Sequence, residues 1–531
     1  MPPLTRRTAT TPPIELPVGS ALRVSFGVEE AAWVQESAPV SFVVTLLRPG
    51  EESGAEIFHR VLDPARMAAN RRWQTVEIPL PIRGAHEKVR LRFETRDAGD
   101  RPGRSSLPVW GDPTILSPEK ETLRPRRIVL ISLDTLRARS MSTYGHGTAT
   151  TPFFTELART SALFENAFTT FSNTLGSHMS MLTGLYPGRH LVLDAPDQLG
   201  RSERTLAEHL RQAGYETAAF TENALLRAGQ FRRGFGTYFE EKEFRMGAGT
   251  AERTFERSLA WARDQGESPF FLFIHTYQVH APYQPRSGTG PPVDIATLLQ
   301  SENVDGVRLD YEQEIVELDA LLRKLLAELA KLGPEEELLV VITADHGEEF
   351  REHGAMLHTQ LYDEVMHIPL LLHWPGVIPG GLRDKTPVSL VDIVPTVLAL
   401  AGLPADGVDG QNLVPLLEGG SLGRKAVFGH GHHGPAGGPQ RKLVGRSSTA
   451  KCMLRESDGK FHCYDLSADP GEERPLPSDA SPEISLLSEE VRAYGEQFRA
   501  RRAEKKPRKE VATPEVDPQR AQKLRALGYV E

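Results

Sequence analysis

Apolar and polar positions fall into three regimes along the chain. Through residues 1–118 the runs are short and β-like: SALRVSFGV, PVSFVVTLLR, WQTVEIPLPI and KVRLRFETR, separated by Pro, Gly and charge. The segment LPVWGDPTIL closes the series as a last strand. This pattern predicts an all-β, jelly-roll-like sandwich over 1–118. At RRIVLISLD the regime changes to continuous apolar runs, with ETAAFT, PFFLFIHT, ELLVVITAD and IPLLLHW following. Such runs suit strands buried on both faces of a mostly parallel sheet. Helical stretches alternate with them, including TPFFTELARTSALF, SERTLAEHLRQAGY and the long amphipathic DYEQEIVELDALLRKLLAELAKLG. The alternation predicts an α/β domain over 119–425, its sheet lying between helices.

From residue 426 the pattern becomes hairpin-like again, which predicts a small antiparallel subdomain over 426–478. A charged helical tail occupies 479–531, and its basic patch RARRAEKKPRK reads as a solvated helix or linker. No internal repeat is visible.

Composition narrows the function classes. The 531 residues are 39% hydrophobic and 25% charged, as in a soluble globular chain of two or more domains. A net charge of −9 argues against nucleic-acid binding, which calls for a basic stripe. No apolar run approaches a membrane span, and the N-terminus MPPLTRRTATTPPIELPVGS has no apolar signal core. The chain as given therefore reads as soluble and cytoplasmic, or exported if the true start lies upstream. Its two cysteines, Cys452 and Cys463, flank a turn placed at Asp458-Gly459. That turn pairs Cys452 with Asp465 and Cys463 with Leu454, which sets the thiols diagonally, roughly 7 Å apart. The expectation is two buried free thiols, since a disulfide needs closer Cβ atoms.

Three strand-end motifs carry the candidate chemistry: Asp134 in ISLDTLR, Thr174 at the head of TLGSHMSMLTG, and Asp345-His346-Gly347 in ITADHGEE. Singly, each has a structural explanation as a helix cap or a turn. Together they offer two carboxylates, a hydroxyl and an imidazole at the carboxyl ends of buried strands, a set suited to a hard or borderline divalent cation.

These motifs bring a resemblance into view. From about residue 125 onward the chain resembles the sulfatase-like branch of the alkaline-phosphatase superfamily. The match runs through RRIVLISLDTLRARSMSTYG, LTGLYPGRH, LAEHLRQAGYETAAF, FRRGFGTYF, HTYQVHAPYQP, ITADHGEEFREHG, LYDEVMHIPLLLHWPGVIPGG, SLVDIVPTVLALAGLP and CYDLSADPGEE. The ending LRALGYVE is similar to that of many bacterial members. Sulfatases of this family carry C-x-P-S-R or S-x-P-S-R before T-G, and the Cys or Ser becomes formylglycine. Aligned on Leu182-Thr183-Gly184, the nucleophile position here is Thr174, with Gly176 for Pro, Ser177 retained and His178 for Arg. Threonine-type phosphodiesterases and phosphotransferases of the same superfamily share this spacing and a His at the fifth position. A threonine ester lacks the second hydroxyl by which a formylglycine hydrate expels its product, so water must cleave it.

The resemblance implies a metal held by Asp134, Asp345, His346 and Thr174. It implies catalytic roles for Thr174, His280 and His358, with His280 and His358 contacting the transferred group and able to protonate the leaving oxygen. Substrate contacts fall to Ser177, His178 and His353. His358 stands where arylsulfatases place a lysine and phosphoethanolamine transferases a histidine. The second aspartate of many sulfatases is Thr135 here, which removes one ligand. His346 in place of the sulfatase asparagine favours manganese or zinc, with calcium or magnesium as further options. His430 and His432 in GHGHHG read as exposed histidines of a glycine-rich loop. The favoured expectation is a metal-dependent phosphate-ester hydrolase or transferase, acting on a small-molecule, glycan or lipid ester. A sulfuric ester hydrolase working without formylglycine is the second reading. A catalytically degenerate glycan-binding protein is the third.

Overall fold

The computed structural model describes residues 6–29, 33, 37–83, 87–98, 107–116, 124–193, 197–222, 226, 230–241, 251–284, 295–433 and 440–504. The chain divides into two compact units, residues 1–122 with 212–214, and the remainder.

The first unit is a sandwich of two antiparallel sheets. One runs Arg7–Thr10, Glu87–Asp97, Val40–Leu47, Ala55–Leu62, with Ile14–Leu16 also paired to Glu87–Asp97. The other runs Gln74–Pro79, Ala21–Val28, Pro108–Leu116. Side chains from both sheets, among them Leu22, Val24, Val44, Leu46 and Leu91, share one core. Phe26, Phe42 and Trp110 extend it. The five runs named from the sequence are all strands. Ala55–Leu62 escaped notice because it is an edge strand whose residues are mostly exposed, so AEIFHRVL shows no clean alternation.

The second unit is built on an eight-stranded sheet. Its order is Thr237–Glu240, Glu216–Thr221, Phe270–Thr276, Arg127–Leu133, Leu338–Ala344, Leu370–His373, Ala162–Phe164, Leu382–Asp384. The first five strands are mutually parallel, and Leu370–His373 runs against them. Arg127–Leu133, Phe270–Thr276 and Leu338–Ala344 are buried at every position, which explains their unbroken apolar sequence. Adjacent parallel strands in register end together: Leu133 lies opposite Thr276 on one side and Ala344 on the other. Residues that follow these ends meet at one edge of the sheet, where ligands bind in open α/β folds.

The antiparallel subdomain comprises Val427–His433, Gln440–Arg446, Ala450–Arg455 and Lys460–Asp465. The tail carries the helix Pro482–Glu504, whose last residues, Arg499–Glu504 of the basic patch, are exposed. The helix buries Ile484, Leu487 and Val491 against Leu443, Cys452, Leu454 and Cys463 of that sheet. Residues 505–509 of the basic patch, and the LRALGYVE ending, lie outside the described residues.

Two expectations need correction here. Cys452 and Cys463 are a disulfide, not free thiols. The connection between their strands holds four residues, since Arg455 pairs with Lys460, and Gly459 adopts the left-handed φ of 69°. That shifts the register by two and puts Cys452 directly opposite Cys463, with Cα atoms 4.1 Å apart. His430 is not an exposed loop residue. It lies buried within Val427–His433, its Nδ1 3.0 Å from the Tyr494 hydroxyl. The side chain of His432 lies outside the described residues.

Candidate active site

Asp134 directly follows the strand Arg127–Leu133, and its amide donates to the Thr276 carbonyl at 3.1 Å. Asp345 and His346 follow the neighbouring strand Leu338–Ala344. One ligand atom from each of Asp134, Asp345 and His346 lies within 4.8 Å of the others, and all three residues are fully buried. Asp345 Oδ1 accepts the amides of His346 (2.9 Å) and Thr135 (3.3 Å), which aims Oδ2 the other way. His346 Nδ1 is 3.1 Å from the Gly347 carbonyl, and that contact fixes the N–H at Nδ1 and leaves a lone pair on Nε2.

Asp134 Oδ1, Asp345 Oδ2 and His346 Nε2 are buried with no hydrogen-bond partner. Orphaned buried acceptors are rare, and three on residues whose ligand atoms lie within 4.8 Å of one another call for a positive charge. Two carboxylate oxygens and an imidazole nitrogen fit a divalent cation. Thr135 does not contribute. Its hydroxyl donates to the Val279 carbonyl at 2.8 Å.

Thr174 opens the helix Thr174–Thr183, and the Asn173 side chain caps that helix by accepting the Gly176 amide at 2.9 Å. Thr174 Oγ1 donates to Asp134 Oδ2 at 3.4 Å, so the hydroxyl stands beside the cluster of two carboxylates and an imidazole. Ser177 and His178 fasten this helix start. Ser177 Oγ donates to the Asn173 and Thr174 carbonyls at 2.7 and 3.1 Å. His178 Nδ1 is 2.7 Å from the Thr174 carbonyl, while its Nε2 accepts from Ser132 Oγ at 2.9 Å. With both ring nitrogens engaged, and its pKa pushed down to about 3 by burial and then by His275, His178 is neutral.

The two remaining catalytic candidates face each other. His280 sits in the loop after Phe270–Thr276, with Nδ1 2.6 Å from the Ala281 carbonyl. The ribbon of Glu349–Phe350 and Met356–Leu357 delivers His358. The His358 ring centroid lies 4.4 Å from that of His346 and 5.6 Å from that of His280. Burial lowers both, His358 to about 4 and His280 well below its ordinary value. His358 Nδ1 is 3.1 Å from Glu348 Oε1, and the other Glu348 oxygen accepts the Tyr283 hydroxyl at 2.7 Å. Burial raises Glu348 to about 8. His353 belongs to a different cluster. It stacks on Tyr362 and contacts the Gly471 carbonyl (3.0 Å) and Glu364 (3.5 Å).

Sequence reasoning passed over three buried groups here: His275, Tyr277 and Glu348. His275 Nε2 is 3.3 Å from Asp134 Oδ2, with its Nδ1 3.2 Å from the Ser132 carbonyl. Tyr277 donates its hydroxyl to Thr174 Oγ1 at 3.3 Å. The signal was available, since a polar residue ending a buried apolar strand is the argument that singled out Asp134, and PFFLFIHTY repeats it.

Residues 126–403, more than half of the chain, match the Sulfatase family. The chain belongs to the sulfatase family. Residues 351–492 also match the C-terminal region of N-sulphoglucosamine sulphohydrolase. Among relatives, arylsulfatase K of Danio rerio is 31% identical over 207 residues, covering 37% of this chain and 38% of that protein's length. Arylsulfatase A of Homo sapiens is 27% identical over 377 residues, covering 57% and 70%. Two solved sulfatase-fold structures are similar. One is BT4656 in complex with its substrate D-glucosamine-2-N,6-O-disulfate (TM-score 0.60, 18% identity, 72% of this chain and 100% of that one). The other is the phosphonate monoester hydrolase of Agrobacterium radiobacter (TM-score 0.59, 21% identity, 71% and 96%). At these identities the likeness establishes the fold, and the fold alone does not choose between sulfur and phosphorus.

Proposed function

We propose that this sulfatase-family hydrolase cleaves phosphate esters by double displacement through a Thr174 ester. The observation that carries the reading is the Thr174 hydroxyl, 3.4 Å from Asp134 at a helix start, in the place where the formylglycine precursor of a sulfatase would stand. Both cysteines lie far along the chain and are bonded to each other.

Asp134, Asp345, His346 and the Thr174 oxygen would hold the divalent cation, which when bound supplies Lewis acidity and lowers the hydroxyl's pKa. Asp134 Oδ2 accepts the Thr174 O–H and fixes the orientation of the hydroxyl. The start of the Thr174–Thr183 helix favours an anion at that spot. His280 and His358, whose rings lie 5.6 Å apart, would contact the transferred group. Glu348 keeps His358 in one tautomer, with Nε2 turned away from the pair to serve the leaving oxygen. Water then cleaves the threonine ester. Retention of the two carboxylates and the imidazole in one buried cluster supports an enzyme over a degenerate binding protein. The disulfide supports an oxidising compartment, as for an exported enzyme.

The arylsulfatase relatives support a second reading, sulfate-ester hydrolysis without formylglycine. The test runs bis-p-nitrophenyl phosphate and p-nitrophenyl sulfate side by side on manganese- or zinc-loaded protein, with Thr174→Ala as control. Phosphodiester turnover that vanishes in the variant is the expected result. Sulfate turnover that survives in the variant overturns the mechanism.

A further inference from the structure

Double displacement makes one atom do two jobs. Thr174 Oγ1 is the nucleophile of the first step and the leaving group of the second. An aliphatic alkoxide is a poor leaving group, so the second step needs a donor aimed at that oxygen. Tyr277 provides one. Its phenol is buried and its O–H donates to Thr174 Oγ1 at 3.3 Å. Contacts of this kind shorten when the reacting complex forms.

The tyrosine is well anchored for such a task. Glu222 Oε2 accepts the Tyr277 amide at 2.8 Å and the adjoining Thr276 hydroxyl at 3.0 Å. The His275 and His280 rings pack against it, with centroids 5.0 and 4.9 Å from the tyrosine ring. A phenol, with an ordinary pKa of about 10, is a far better donor to a developing alkoxide than another alcohol.

We infer that Tyr277 is a catalytic residue whose O–H stabilises negative charge on Thr174 Oγ1, chiefly as that oxygen departs in the second displacement. The inference rests on the Thr174 reading above. In that step the bond from water oxygen to phosphorus forms and the phosphorus–Oγ1 bond breaks. The electron pair stays on Oγ1 against the Tyr277 donor, and the water proton passes to a buried histidine, His280 or His358. In the ester intermediate Oγ1 is nearly uncharged, so the hydrogen bond strengthens only as the bond breaks. Loss of the phenol should therefore slow the second step more than the first.

The test is Tyr277→Phe, which removes a single oxygen. It uses the full-length, metal-loaded protein with bis-p-nitrophenyl phosphate. Metal content and Tm are measured alongside. The expected result is a kcat lower by about 10²-fold, the usual effect of removing one donor to a developing oxyanion. A burst of one p-nitrophenolate per site should accompany it, as should a phosphoryl adduct on the Thr174 peptide in quenched samples. Metal content should match wild type. A kcat within about threefold of wild type, or a fall in kcat without adduct, overturns the inference. So does a fall that tracks lost metal. If Tyr277→Phe does not fold, Tyr277→3-fluorotyrosine keeps the shape and sharpens the donor. Adduct breakdown should then accelerate, and unchanged breakdown overturns the inference. Turnover persisting in Thr174→Ala would instead sink the underlying reading, so the two failures are distinguishable.

Discussion

Asp134→Asn should make the metal-free protein more stable while abolishing its response to metal. Burial, reinforced by the nearby Glu348 carboxylate, raises Asp134 from 3.8 to about 7 in the absence of a cation. The folded value lies above the unfolded one, so the ionised carboxylate opposes folding. That penalty is absent below about pH 4, grows as pH rises towards 7, and is complete above it. Three pH units at about 1.4 kcal/mol each give about 4 kcal/mol. A cation present at about 1,000 times its Kd contributes about 4 kcal/mol in the opposite sense. Asparagine keeps the shape and an oxygen for Thr174 without the charge. The assay is thermal unfolding at pH 5, 6.5 and 8, in chelator and in manganese or zinc. In chelator at pH 8 the variant should melt higher than wild type by about 5 °C, given a few degrees per kcal/mol in domains smaller than this one. At pH 5 the gap should narrow, and metal should raise only the wild type. A variant less stable than wild type in chelator at pH 8 would refute the argument, as would an equal metal response in both proteins.

Gly176→Ala tests the helix start. An added Cβ would lie 2.7 Å from the Phe171 ring carbon Cγ, and Phe171 is fully buried. Overpacking should outweigh the helix propensity gained, with a net loss of about 1–2 kcal/mol and reduced kcat; a higher Tm by calorimetry would contradict this. Lys451→Met tests the charge cluster of the C-terminal subdomain, where the buried Nζ lies 2.8 Å from Asp363 and 2.7 Å from Glu472. Removing it breaks the Glu472 ion pair and leaves Asp363 the longer Arg446 contact at 3.4 Å, which should cost about 3 kcal/mol in denaturant unfolding. Adding Asp363→Asn and Glu472→Gln should recover much of that loss, whereas no recovery would show that charge is not the cause.

Much of the architecture was legible in the sequence because local physics decides it. RIVLISL and LLVVITA are apolar at every position because both faces of their strands are covered, and a run of that kind cannot be satisfied at a surface. Asp134, Asp345 and His346 stood out together, because at the ends of such runs they make up a metal-ligand set that a single cap or turn does not call for. The register of the cysteine hairpin was not legible. Asp458-Gly459 suits a two-residue turn as well as the end of a four-residue one, and the choice rests on the sheet and helix packed around it. The partners of Tyr277 and Glu348 were hidden for a different reason. Tyr277 meets Thr174 from a distant part of the chain, and Glu348 meets His358 only because the ribbon Glu349–Phe350 and Met356–Leu357 folds back on itself. His353 and Ser177 show the converse, since a motif position fixes the residue type but not its partners. The sequence by itself determined the strands, the buried sheet and the chemical inventory of the site, because periodicity and burial are properties of short segments. Tertiary structure alone decided which donor meets which acceptor, because a hydrogen bond forms or fails within a few tenths of an ångström and no local pattern encodes that distance.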